Sequence, residues 1–533
     1  MKILAVIPAR AGSKGIPNKN IRIINGKPLI YYSIDNALKS KMITDVIVTT
    51  DSEEVKLIAR QMKVNYKDRD ESLCRDDVTL DAVIYDAIPK NTKWDYIVTM
   101  QPTSPTLKME TLDNAIEYAI KNNTDTLISA LNAPHLSWGL KDGKLVPNYE
   151  KRLNRQYLPP CYLETGAFVI SKYNVVTENT RIGKNVSVFE IPEDEAQDVD
   201  TFQDLRNVAE TLSAPKVAFY VNGNNKIGMG HIYRVLELAD EFYCKPDIYY
   251  NETITDRAAF GNTTHILIPI SDDDELIRKC QENKYTLFVN DILATDSEFM
   301  KKLKRTSNNI KIVNFEDDSE GSLYADAVIN ALYSTSNQKN VYCGEKYYIC
   351  PKAFQFYNPI NINTNIKNII ITFGGADPQN YTDRVLNIIT KREYQNYNFT
   401  VVLGRAKRNV NELMKFNNYS NITVLYDVKN MPELMSNCDF AMTSRGRTGY
   451  ELATLGIPTI AMSQNEREER HAFICNENGF SYIGLNPSDE MIEGTLKIYL
   501  NLSRKSRLDL QNKLLNFNLK NGRKSVMGIL NNL

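Results

Sequence analysis

Residues 3–20 read ILAVIPARAGSKGIPNKN. The apolar run 3–9 has the length of a buried strand, and it ends at once in a turn that sets Gly12 and Gly15 among Arg10, Lys14 and Lys19. Glycines let a backbone approach an anion closely, and exposed amides with three cations around them can surround a triphosphate. The pattern is neither GxxxxGK[ST] nor GxGxxG. A strand that runs straight into an anion-binding turn is the opening unit of an open α/β sheet.

The same rhythm continues outward from this stretch. Residues 46–50, 96–101 and 126–131 read as buried strands, and 29–38 and 53–62 read as the helices between them, which predicts a parallel sheet covered by helices. The segment TLSAPK (211–216) marks a boundary. After it come a strand (217–221), a Gly-rich turn and a helix from His231 to about Tyr243, the way an α/β domain begins. Further strands fall at 266–269, 286–289 and 312–315. A polar, Asn-rich stretch at 361–365 reads as a hinge before a second series of strands at 369–373, 400–403, 423–426, 440–443 and 458–462.

Composition narrows the partners. The chain has 533 residues with 64 basic and 65 acidic side chains, a net charge of −1. This balance gives no electrostatic reason to expect nucleic acid or an anionic membrane. The start leads directly into the Gly-rich turn and does not read as a signal peptide, and no run approaches the roughly 20 apolar residues of a membrane span. The eight cysteines are scattered without a CxxC, as expected of free thiols in a reducing cytoplasm.

A second chemical signal lies far along the chain, at Asp198-Val199-Asp200. Residues two apart in an extended segment share a face, and two carboxylates there form a hard-oxygen site suited to Mg²⁺. Together with the first turn, the motifs TTDSEEV (49–55), MQPTSP (100–105), RQYLPPCYLETGAF (155–168) and DVDTFQDL (198–205) resemble those of the CMP-sialic acid synthetases, or acylneuraminate cytidylyltransferases. The resemblance spans residues 1 to about 210. It implies that Arg10, Ser13, Lys14 and Lys19 hold the phosphates of CTP and that Arg69 and Thr79 contact the nucleotide. It places Gln101 and Arg155 against the sugar acid and Mg²⁺ on Asp198 and Asp200, with Arg10, Lys14, Lys19 and Asp200 as the catalytic groups. The reaction implied is attack of the sugar's C2 hydroxyl on the α-phosphorus of CTP, with release of pyrophosphate. The chain departs from the family at Thr165-Gly166-Ala167, often Asn-Gly-Ala, and at Lys108, near which the family has an Arg. Both departures lie on the acceptor side and leave the nonulosonate open among pseudaminic, legionaminic and neuraminic acids. The family resemblance also implies a homodimer formed through this domain.

The second half carries three Gly-rich strand–helix turns: Gly228-Met229-Gly230-His231, Gly374-Gly375, and Gly446-Arg447-Thr448-Gly449. Such turns cradle phosphates. His231 falls at a helix N-terminus, where the dipole favours the neutral imidazole that a general base requires. Glu451, one turn into its helix, suits either a ribose contact or a dipole partner. Residues 216 to about 480 resemble the GT-B-type UDP-sugar hydrolases of pseudaminic acid synthesis, and related spore-coat polysaccharide proteins. The motifs are IGMGHIYR (227–234), GEKYYICPKAF (344–354), FGGADPQN (373–380) and the turn 446–451. The resemblance implies His231 as the residue that activates water and Gly374, Gly375, Thr448 and Glu451 as binders of UDP. Asn290-Asp291-Ile292 stands where the family has Asp-x-Tyr, Tyr220-Val221-Asn222 where it has Arg-x-Asp, and Asn465-Glu466 where it has Asn-Gln.

The predicted fold class is therefore α/β throughout. A Rossmann-like nucleotidyltransferase domain occupies 1–212. A GT-B-like pair of domains occupies 216–533, with lobes of about 216–365 and 366–533. The function expected is a bifunctional cytoplasmic enzyme taking CTP, a nonulosonic acid and a UDP-sugar. A non-catalytic nucleotide-sugar-binding module and a glycosyltransferase remain alternatives for the second half.

Overall fold

The structure is a computed structural model that describes residues 1–12, 15–224, 228–292, 294–306, 309–333 and 338–533. Ser13 and Lys14 of the first turn lie outside the described residues. The chain divides into two units, Met1–Ala214 and Pro215–Leu533.

The first unit is built on a seven-stranded sheet with Ile3–Pro8 near its centre. That strand runs parallel to Asp45–Thr50 on one side and to Tyr96–Met100 on the other. Side chains alternate across the pleat. Ile3, Ala5 and Ile7 therefore pack with Ile30, Ile34, Leu112 and Ile116 on one face, while Leu4 and Val6 pack with Ile84 and Ala87 on the other. A strand buried on both faces must be apolar throughout, which is why 3–9 lacks the polar alternation of a half-exposed strand. Strand Tyr162–Lys172 enters antiparallel beside Tyr96–Met100, and its pairing with Thr126–Asn132 shifts register between Glu164 and Val169. A two-stranded hairpin, Trp138–Lys141 with Lys144–Pro147, leaves Leu140 and Leu145 more than 70% exposed, at 75% and 71%.

The second unit has the GT-B arrangement of two parallel sheets. In the first, the order is Ile266–Ile270, Asp247–Asn251, Val217–Val221, Leu287–Asp291, Lys311–Phe315, Ala327–Asn330, Val341–Cys343. In the second it is Ile422–Tyr426, Asn398–Leu403, Asn368–Thr372, Phe440–Ser444, Thr459–Ser463, Phe480–Leu485. Strand order reverses beside Val217–Val221 and again beside Asn368–Thr372, and at such switch points the crevice beyond the strand ends opens toward a ligand. One apolar cluster joins the two lobes: Ala331, Leu332 and Tyr348 pack with Ala441, Tyr450 and Ala461. The Tyr348 and Tyr450 rings stack at 4.5 Å.

One element crosses the hinge. The last helix, Gly522–Leu530, inserts Val526 and Leu530 into the core around Val217, Phe219 and Val289 of the first sheet. Residues 526 and 530 lie one above the other on a helix, so they form a stripe that covers that sheet beside helix Gly230–Ala239. The first lobe is thus closed by the chain's own end, and a division at 365 does not separate the lobes cleanly. Among the described residues no helix is long and apolar enough to cross a membrane.

Leu530 is 5% exposed in this shared core. Leu530→Ala is expected to cost roughly 2–5 kcal/mol, and calorimetry should show the loss in the transition of the second unit alone. A variant that melts like the native chain would show that the helix does not close the first lobe.

Candidate active sites

In the first unit the phosphate-type turn is fixed from three sides. Asp51, just past strand Asp45–Thr50, accepts a hydrogen bond from the amide of Ala11 at 2.7 Å. Buried Asn20 donates to the carbonyl of Arg10 at 3.0 Å. Ile16 is buried in a small core with Val199, Val208 and Leu29, which draws the turn against the segment that carries the paired aspartates. That contact is tight. A Cβ on Gly15 would lie 2.7 Å from the carbonyl oxygen of Asp200, so only glycine fits there. Lys19 closes the junction, with Nζ donating to the Val199 carbonyl at 2.9 Å and to Asp200 Oδ1 at 3.0 Å.

The paired carboxylates have different surroundings. Loss of water around its carboxyl, reinforced by the like charge of Asp200, raises Asp198 above the ordinary carboxylate range even though the residue as a whole stays exposed. Asp200 is exposed and held by Lys19. Asp204 is occupied otherwise: with Thr201 it forms a capping box at the start of helix Phe202–Ser213. Two carboxylates two residues apart, beside the Gly-rich turn, fit a hard divalent cation, which takes few carboxylates and completes its shell with phosphate oxygens and water. Among the described residues no group of three or more His, Cys, Asp or Glu forms a metal cluster.

The other expected residues are distributed unevenly. Arg10 donates to the Cys74 carbonyl at 3.1 Å and pairs with Asp76 at 2.9 Å, so it ties the turn to the loop before helix Leu80–Ala87. Thr79, at the cap of that helix, is exposed and makes no side-chain capping bond. Arg69 is buried, with Nη2 donating to the Thr49 carbonyl at 2.9 Å. Gln101 lies against Gly166: its Nε2 is 3.0 Å from where a Cβ on that residue would be, and Gly166 adopts φ +72°. The register shift in Tyr162–Lys172 therefore presses the Thr165-Gly166-Ala167 turn against Gln101. Arg155 sits exposed on a short helical turn, and its side chain makes no hydrogen bond or ion pair among the described residues.

In the second unit the most highly organised polar cluster lies under His231. Strand Leu287–Asp291 delivers Asp291, wholly buried, to the second residue of helix Gly230–Ala239. Asp291 Oδ1 is 2.6 Å from His231 Nδ1. Arg234, three residues on along the same helix face, clamps both carboxylate oxygens, with Nε at 2.6 Å from Oδ2 and Nη2 at 2.5 Å from Oδ1. Its remaining arm pairs with Glu316 at 3.1 Å. Burial alone would raise the Asp291 carboxyl, but Arg234 and His231 hold it well below the usual carboxylate range. Burial pushes His231 down from its ordinary value, against the pull of Asp291, so the ring is neutral near pH 7.

One of the other Gly-rich turns reaches this cluster. Arg447, opening helix Arg447–Thr454, donates to the carbonyl of Gly230 next to His231. Gly374 comes within 3.6 Å of Ser444 Oγ, measured from its would-be Cβ. The loop that carries Gly374 and Gly375 is pinned by Asp377, which accepts from the amides of Tyr381 and Thr382 and from Lys407 Nζ, each at 2.9 Å. Thr448 and Glu451 are half-buried on the same helix. Burial raises the Glu451 carboxyl to about 7, opposed by Arg447, and Glu451 makes no side-chain hydrogen bond among the described residues, which suits a carboxyl that waits for a hydroxyl. Glu468, also raised by burial to about 7, accepts the Gln464 amide at 2.8 Å beside Gly446.

Asp291, Arg234 and Arg447 were not among the residues read as functional from the sequence. Asp291 ends the strand that begins with the apolar run 287–289, and a carboxylate at the carboxyl end of a central parallel strand was the available signal.

The sequence model of the cytidylyltransferase family matches residues 4–193. The pseudaminic acid cytidylyltransferase of Campylobacter jejuni is 34% identical over 219 residues, 38% of this chain and 94% of that protein. A Helicobacter pylori protein named as both pseudaminic acid cytidylyltransferase and UDP-2,4-diacetamido-2,4,6-trideoxy-β-L-altropyranose hydrolase is 25% identical over 489 residues, 87% of this chain and 88% of that one. An uncharacterized protein of Methanocaldococcus jannaschii is 29% identical over 298 residues, and the chain spans only 61% of its length. With the family match over residues 4–193 and a relative 34% identical across 94% of its own length, the chain belongs, through its first unit, to the cytidylyltransferase family.

Proposed function

We propose that the chain is a bifunctional enzyme of nonulosonic acid synthesis. The first unit transfers CMP from CTP to a nonulosonate and releases pyrophosphate. The second binds a UDP-sugar and hydrolyses it.

The observation that carries the first reading is the junction of Lys19, Gly15 and Asp200. It joins a polyphosphate turn to a carboxylate pair in one site. Positioning and charge neutralisation supply the catalysis. Arg10, Ser13, Lys14 and Lys19 hold the phosphates of CTP, and Arg69 and Thr79 lie on the nucleotide side. Gln101, set by Gly166, and Arg155 orient the carboxylated sugar so that its C2 hydroxyl faces the α-phosphorus. Mg²⁺ held by Asp198 and Asp200 would neutralise charge on the phosphates as pyrophosphate leaves. Pyrophosphate release from CTP with a panel of nonulosonates tests this reading. Asp200→Asn should reduce kcat by on the order of 10²-fold or more while the fold persists. Activity that survives both this substitution and chelation of divalent ions contradicts the assignment.

The observation that carries the second reading is His231 paired with Asp291 at a switch point, with Arg447 of the turn at 446–449 donating to the adjoining Gly230 carbonyl. His231 takes a proton from water as it attacks the anomeric carbon, and UDP departs with its charge held by the turns. Gly374, Gly375 and Thr448 lie on the diphosphate and Glu451 on the ribose. UDP release from UDP-diacetamido sugars by the native chain, but not by His231→Ala, is the expected result. Binding without release assigns this unit to a non-catalytic module instead.

We further propose that the enzyme is a cytoplasmic homodimer joined through the first unit, without nucleic-acid or membrane partners. The support is the hairpin Trp138–Pro147, which projects Trp138, Leu140 and Leu145 with more than half of each exposed, at 56%, 75% and 71%. Leu140→Lys with Leu145→Lys should convert a dimer in light scattering to a monomer. An unchanged mass rules out this hairpin as the interface.

A further inference from the structure

The cluster beneath His231 determines more than where the ring sits. An ionised carboxylate can only accept hydrogen bonds, so at 2.6 Å from Asp291 Oδ1 the His231 Nδ1 carries the proton and donates it. The neutral ring then has its lone pair on Nε2, which has no partner among the described residues. Asp291 cannot turn away to accept elsewhere, because Arg234 grips both of its oxygens and Glu316 grips Arg234 in turn. An isolated carboxylate without exposure to solvent would carry a large desolvation cost, and the arginine offsets it. A pair this costly to bury has to do more than fill space, since an apolar packing of similar volume would hold the helix as well.

We propose that Asp291, clamped by Arg234, is the positioning residue that fixes His231 with its proton on Nδ1 and so makes Nε2 the atom that receives the proton from water. The inference rests on the hydrolase reading for its chemistry and on the geometry alone for the tautomer. In the step, the water oxygen forms a bond to the anomeric carbon as the bond from that carbon to the β-phosphate oxygen breaks. UDP leaves with the bonding electron pair, and the proton of the water goes to His231 Nε2. The imidazolium that results lies against the Asp291 carboxylate, which offsets its charge. The charged groups around the ring are Arg234 on its own helix, Asp291 from strand Leu287–Asp291, and Arg447 from helix Arg447–Thr454, with Glu316 behind Arg234. Of the groups in direct reach, only Asp291 favours the charged ring.

Two measurements decide the matter. The chain has four histidines. Ring-¹⁵N labelling of the full chain, with the His231 signals assigned by their loss in His231→Gln, should show Nδ1 protonated and Nε2 unprotonated at neutral pH. A proton on Nε2 overturns the proposal. This reading uses the native chain, so it stands whether or not a variant folds and whether or not the second unit turns over. Asp291→Asn keeps the shape and should reduce kcat for UDP release by on the order of 10²-fold with KM little changed. Its acid limb in kcat/KM should move down by roughly 1–3 pH units, because the carboxylate that raises the His231 pKa is gone while burial, Arg234 and Arg447 still lower it. Native rate and native pH profile in a folded Asp291→Asn chain contradict the role. Loss of UDP release in the native chain, with Nδ1 still protonated, removes the hydrolase reading and leaves the pairing standing.

Discussion

A parallel sheet covered on both faces leaves one place for its backbone to meet a ligand, the carboxyl ends of its strands. The chain's three large sheets are organised by this constraint. Their central strands are largely apolar along their length, and polar groups of both candidate sites lie where such strands give out. Asp51 follows Thr50, Asp291 ends its strand, and Ser444 ends another in front of the turn that opens helix Arg447–Thr454. Both candidate sites draw on such ends, and the first adds Asp198 and Asp200 from the segment before helix Phe202–Ser213.

The two sites solve different electrostatic problems with the same geometry. In the first unit, Lys19 and the exposed Asp200 lie close together, an arrangement suited to a highly charged substrate that brings its own counter-ions. Its links, such as Lys19 to Asp200, are half-solvated and contribute little to stability. In the second unit the charges of Asp291 and Arg234 are sealed from water, and their strength lies in orientation. The exposed pair suits phosphoryl transfer by charge neutralisation, and the sealed pair suits proton transfer by a fixed ring.

Much of this was legible in the sequence, for identifiable reasons. The strands and the three Gly-rich turns of the second half could be read because doubly buried strands are continuous apolar runs and close backbone approach demands glycine. The paired aspartates could be read from spacing, but their union with the first turn depends on Ile16 and Val199 meeting in a small core and on Lys19 reaching Val199 and Asp200, which lie 180 and 181 residues along the chain from it. Asp291 was read only as a departure from a family pattern, because nothing local to it announces the helix that it supports. The destination of helix Gly522–Leu530 was equally hidden. Its apolar stripe of Val526 and Leu530 says that it packs, but the surface it packs on is three hundred residues away, around Val217 and Phe219.

On the proposed function, the chain carries two nucleotide sites that work independently, one for a cytidine triphosphate and one for a uridine diphosphate. Calorimetric titration of the full chain with CTP in the presence of divalent cation, and with UDP, each alone and each with the other saturating, tests this most directly. Two binding events of unchanged affinity are expected, the CTP event lost in Lys19→Met and the UDP event lost in Arg447→Met. Mutual displacement of the two nucleotides, or loss of both events in either variant, would contradict it.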